Sequence, residues 1–72
     1  MPKLPRISGG DAIRALGQLG FHQVRQRGSH VVLRHPDGRG CVVPVHRELK
    51  VGTLAGVLRQ AGVSVEEFIA AA

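Results

Sequence analysis

The chain has 72 residues, with ten Lys and Arg against five Asp and Glu, a formal net charge of +5 and a sequence pI near 11.2. That length suits one small domain spanning residues 1–72; the lone Cys41 excludes a disulfide staple, and no apolar run approaches a membrane span. Phe21 and Phe68 are the only aromatic residues apart from the histidines, too few for a base-stacking platform.

Eight of the ten cations are arginine. Arginine grips phosphate through a rigid planar fork, whereas lysine acts as a point charge. The composition therefore points to a polyanion recognised through its backbone, or to an acidic partner protein. The first ten residues contain Pro2, Pro5, Gly9 and Gly10 and do not read as a signal peptide. A single thiol suits a reducing compartment, so the expected location is the cytoplasm.

Residues 1–7 form a basic, proline-punctuated arm expected to be mobile until Ile7 docks. Ser8 with Asp11 resembles a capping box, and Ala12, Ile13, Ala15, Leu16 and Leu19 fall on one side at helical spacing. The spacing predicts a helix over 9–19, ended by Gly20. Phe21 to Arg27, His30 to His35 and Val42 to Val45 read as strands, separated by Gly28-Ser29 and by Pro36-Asp37-Gly38-Arg39. Pro44 lacks a backbone donor and belongs on an edge strand. A second helix is predicted over 52–61, with Leu54, Val57, Leu58 and Ala61 on one stripe and Gly62 as cap. Ser64 with Glu67 then opens a short third helix carrying Val65, Phe68 and Ile69. Helices on one face of a three-stranded antiparallel sheet, an α+β two-layer sandwich, is the economical packing.

A two-residue loop at Gly28-Ser29 places Arg27 opposite His30, Arg25 opposite Val32 and Val24 opposite Leu33. Val24, Val31 and Leu33 then face the helices, and Arg25, Arg27, His30, Val32 and Arg34 face outward. Pairing through Asp37-Gly38 places Val32 opposite Val43 and Cys41 opposite Arg34. The outer face then mixes basic and apolar residues, which suggests self-association or a partner protein there.

No serine–histidine–acid triad assembles, because Ser29 and His30 are strand neighbours that point to opposite faces. Asp11, Asp37, Glu48, Glu66 and Glu67 are explained by caps, turns and surface positions. His22, His30, His35 and His46 lack a recognised zinc spacing, and the glycines form no nucleotide loop, so no metal or cofactor is expected. What remains is histidine chemistry on a basic surface. RNA carries its own nucleophile in the 2′-hydroxyl. Its cleavage needs a proton carrier, for which histidine is suited near neutral pH, and cations for the phosphate. His30 is the candidate proton carrier, Arg25, Arg27 and Arg34 the candidate phosphate contacts, and Gly28 and Ser29 the turn that positions them. His35 and His46 are weaker candidates for a second proton carrier. Two other readings stay open: a non-catalytic double-stranded-RNA-binding module, and an interaction domain that docks an acidic partner.

Gly28-Ser29-His30, Pro36-Asp37-Gly38, Val43-Pro44-Val45-His46, Glu48-Leu49-Lys50, Gly52-Thr53-Leu54 and Gln60-Ala61-Gly62, in that order, resemble the HicA toxin family over roughly residues 8–69. Val51 stands where such sequences often carry proline. The resemblance implies a fold like that of double-stranded-RNA-binding domains and an mRNA interferase (endoribonuclease) activity. It also implies a catalytic histidine at His30 and a HicB-like antitoxin partner, with homo-oligomers or toxin–antitoxin hetero-oligomers both open. An inactive homologue that serves only as an interaction domain fits the same motifs.

Overall fold

The structure, a computed structural model, describes residues 3–72. Its elements run α1 (Gly9–Gln18), β1 (His22–Arg27), β2 (His30–Arg34), β3 (Gly40–Pro44), α2 (Val51–Ala61) and α3 (Val65–Ala71). This is the expected α+β arrangement: three antiparallel strands in the order β1-β2-β3, with three helices. No helix among the described residues is long and apolar enough to cross a membrane.

Local chemistry sets the helix ends. The Ser8 hydroxyl accepts from the Asp11 N–H at 3.0 Å, while the Asp11 carboxylate turns away to pair with Arg14. Half of the expected box therefore forms. Beyond α1, Gly20 takes φ +99°, and the Phe21 N–H returns to the Leu16 carbonyl at 3.0 Å, closing a left-handed cap. Gly62, at φ +67°, ends α2 in the same way, with the Val63 N–H on the Leu58 carbonyl. Ser64 and Glu67 form a complete capping box that starts α3.

The helix stripes Ala12-Ala15-Leu16 and Leu54-Val57-Leu58-Ala61, with Phe68, meet Val31, Leu33, Cys41 and Val43 from the inner face of β2 and β3. Leu49, in the connection before α2, joins them fully buried. Of the arm expected over residues 1–7, residues 1 and 2 lie outside the described residues. Leu4 and Ile7 pack partly buried against the core, and the Ile7 carbonyl accepts from the Leu49 N–H at 2.7 Å.

Two registers differ from expectation. Val24 does not face the helices opposite Leu33. It sits in a β-bulge between Gln23 and Arg25, 47 % exposed, and Gln23 pairs with Leu33 instead. No helix covers β1, whose six residues are all exposed, so burial does not hold this strand to an apolar alternation and an edge bulge is tolerated. The second hairpin is shifted by one residue: Val32 pairs with Val42, Val31 with Val43, Leu33 with Cys41 and Arg34 with Gly40. Its loop has three residues, Pro36-Asp37-Gly38, closed by the His35 N–H on the Arg39 carbonyl at 2.8 Å. Proline fills the first turn position and Gly38, at φ +99°, the left-handed third. The shift takes Cys41 and Val43 off the outer face and into the core, and puts Val42 outside.

The two sheet edges are treated differently. Along β3 the outward Val42 N–H donates to Gln60 Oε1 of α2 at 3.1 Å. Pro44, two residues on, has no N–H to leave unpaired, which is the edge placement expected for it. The start of α1 is pressed onto the end of the same strand: the Gly9 N–H donates to the His46 carbonyl at 2.9 Å, and Gly9 lies against Pro44 and Val45 backbone.

Candidate functional site

The Gly28-Ser29 turn has glycine first, at φ +55°, and Ser29 does not take positive φ, which is the requirement of a type II′ hairpin. The Gln26 side-chain amide donates to the Gly28 carbonyl at 3.0 Å, and the Ser29 carbonyl accepts from the Val45 N–H at 2.6 Å. The turn is thus tied to β1 on one side and to the continuation of β3 on the other.

His30 follows directly, opposite Arg27 on β1 and Pro44 on β3. The ladder pattern makes the Arg27 pair hydrogen-bonded and the Pro44 pair non-hydrogen-bonded, with Cα separations of about 5.5 and 4.5 Å respectively. Arg25 is the diagonal neighbour, within reach of a long side chain. Arg34 shares the face but lies four residues along β2, roughly 13 Å from His30 at strand rise. The turn therefore brings Arg25 and Arg27 to His30, and leaves Arg34 at the far end beside His22 and Gly40.

His30 is exposed, and its ring has no hydrogen-bond partner among the described residues. His35 has a different role. Its Nε2 lies 3.1 Å from the Leu19 carbonyl, its Nδ1 accepts from the Asp37 N–H at 3.1 Å, and its ring meets Phe21 edge-on at 5.1 Å. This histidine ties the second hairpin to the end of α1 and does not approach His30. Arg39 is likewise structural: it pairs with Asp37 at 2.8 Å, lies over the Phe21 ring and donates to the Ala61 and Gly62 carbonyls at the end of α2. The backbone N–H and guanidinium of Arg39 hold the Asp37 carboxyl below the usual carboxylate range. Burial pushes the Cys41 thiol up to about 11, which makes it a core side chain rather than a nucleophile.

The charges segregate as a result. Arg14 and Arg39 are neutralised by Asp11 and Asp37. Arg25, Arg27 and Arg34 have no acidic partner among the described residues and share one face with His30. Among the described residues no three His, Cys, Asp or Glu side chains gather as a metal-binding group. One neighbour of His30 has no signal in the local sequence. A groove bounded by His30 and Pro44 on the sheet has Thr53, Gly56, Arg59 and Gln60 of α2 as its other wall. That proximity depends on how α2 docks along β3.

No curated protein matches the chain in sequence. A family model described as the HicA toxin of bacterial toxin–antitoxin pairs matches residues 9–63, from the first residue of α1 through the sheet to just past α2, and the chain belongs to this HicA toxin family.

Proposed function

We propose that the chain is the toxin of a HicA/HicB-type pair and acts as a metal-independent endoribonuclease on mRNA, with His30 as the proton carrier. One observation carries this reading: an exposed histidine with an unengaged ring, flanked by Arg25 and Arg27 on a face without acids. The 2′-hydroxyl of the RNA attacks the adjacent phosphorus, the bond from phosphorus to the 5′-oxygen breaks, and the products are a 2′,3′-cyclic phosphate and a free 5′-hydroxyl. Neutral imidazole accepts the 2′-hydroxyl proton, and the resulting imidazolium delivers it to the departing 5′-oxygen. Arg25 and Arg27 counter the charge that builds on the phosphate, and Arg34 holds the RNA farther along the face. Membership of the family implies an antitoxin partner. A HicB-like protein that covers this basic face would keep RNA away in the cytoplasm.

Cleavage of an RNA by wild type and by His30→Ala tests the reading. Loss of a general acid–base group is expected to slow cleavage by about 10²–10⁴-fold with folding unchanged. A single 2′-deoxy substitution at the cut position should abolish cutting there. Equal cleavage by both proteins would remove His30 from the chemistry. Tight binding without products from wild type would make the chain an RNA-binding module.

A further inference from the structure

We propose that Arg59 on α2 is a second phosphate-binding residue of the RNA site, and that Gly56 keeps the helix wall bare so that the arginine can lie there. The inference rests on the ribonuclease reading above and extends it to the path of the substrate. Arg59 lines the groove that also contains His30, on the opposite wall. Its guanidinium folds back along α2, so that a Cβ built on Gly56 would lie 3.6 Å from Nη2. That direction, toward Thr53, is also toward the end of β3 where Pro44 meets His30. Like Arg25, Arg27 and Arg34, Arg59 has no acidic partner among the described residues, and no acid lines the groove.

Gly56 leaves that stretch of the helix wall low. Among the described residues, and apart from the helix's own backbone, the atom within 4 Å of a Cβ built there is that flexible guanidinium tip, at a distance an alanine would tolerate. What a larger side chain would take is the place where the guanidinium lies, and with it the open wall of the groove.

The order across the outer surface is Arg27 on β1, His30 on β2, Pro44 on β3, and Arg59 on α2. The scissile phosphate belongs with the adjacent Arg27 and His30. Arg59, on the far side of β3, holds a different phosphate of the same strand. The contacted RNA strand therefore runs across the strands of the sheet, and it must extend beyond the dinucleotide being cut.

The test uses a short single-stranded RNA and the full chain. In the His30→Ala background, which prevents cleavage, Arg59→Gln should weaken RNA binding about tenfold. It should also lower the slope of log affinity against log salt by about 0.7, the value for one phosphate contact on a single strand. In the active protein, Arg59→Gln and Gly56→Leu should both raise KM for the oligonucleotide with little change in kcat, and leave cleavage of a dinucleotide unchanged. Arg14→Gln, on α1 and paired with Asp11, removes the same charge and should behave as the parent. Melting curves confirm that the variants fold. If Arg59→Gln binds like its parent while Arg27→Gln binds more weakly, Arg59 is not in the site and the ribonuclease reading stands. An equal loss for Arg14→Gln would reduce the effect to net charge and overturn the inference. A wild-type chain that neither binds nor cuts RNA overturns both.

Discussion

Gly9 and Gly10 are adjacent glycines at the start of one helix, and the structure gives them opposite fates on substitution by alanine. Neither has positive φ, so alanine is acceptable to the backbone at both positions. A Cβ on Gly9 would collide with the Pro44 carbonyl oxygen and stand 2.8 Å from Val45 Cα. Both are backbone atoms and cannot rotate aside. Relief requires α1 to back away from the end of β3, which stretches the Gly9 N–H bond to the His46 carbonyl. The lost hydrogen bond costs about 1 kcal/mol and the forced displacement about 1–3 kcal/mol. The helix-propensity gain of alanine offsets up to about 1 kcal/mol, so Gly9→Ala should lose a net of about 1–4 kcal/mol. At Gly10 the nearest atom to a Cβ is Ser8 Oγ at 3.7 Å, an ordinary contact, so Gly10→Ala should gain about 0.5 kcal/mol. Urea denaturation of the two variants and wild type, with unchanged m-values, measures both. In a domain of this size each kcal/mol moves Tm by roughly 4–8 °C, so the pair should separate clearly on heating as well. If Gly9→Ala matches wild type, or if both variants lose the same stability, the close approach of α1 to β3 is not as described. The distinction bears on the site, because the strand end held by Gly9 carries Pro44 beside His30.

Arg39→Ala removes an ion pair, two bonds to carbonyls at the end of α2 and a contact over Phe21, and should lower stability by about 1.5–3 kcal/mol in thermal melts. Arg39→Lys should recover only part of this, because an ammonium cannot bridge carboxylate and carbonyls as a planar fork does; full recovery would count against the network. The Cys41 thiol should resist alkylation in the folded protein and react once it unfolds. Its folded pKa lies above that of the exposed thiol, 9.0, so the unfolded chain gives up its proton first. Stability should therefore fall as pH rises from about 9 towards about 11, relative to Cys41→Val, which has no proton to lose. Parallel pH profiles for the two proteins would refute the assignment.

The helix ends were readable because their determinants are local: Ser8, Gly20, Gly62 and Ser64 each act within a few residues. The first hairpin was readable for the same reason, since a two-residue turn with glycine first fixes Arg27 against His30. The bulge at Val24 was not, because an alternation pattern presumes that something covers the inner face, and β1 has no helix over it. The second hairpin turned on whether Pro36-Asp37-Gly38-Arg39 closes with two or three loop residues. Burial of Cys41 and Val43 accompanies the longer loop. In the candidate site, the shared face of Arg25, Arg27 and His30 could be read from the hairpin. The position of Arg59 could not, because 29 residues separate it from His30 in the chain and only the docking of α2 on β3 brings them to one groove.

The unequal edges of the sheet bear on how these molecules can assemble. Stacking strands without limit requires two receptive edges per molecule, one to accept a neighbour and one to offer itself to the next. Here Gln60 occupies the outward amide of Val42 and Pro44 has none, so along β3 the Gly40 N–H is left as the outward donor and this side offers little to a further strand. The β1 side is the more open edge, and its bulge and like charges discourage a copy of itself. Each edge therefore carries its own obstacle to edge-to-edge pairing. Growth into a fibre by this route would have to overcome both.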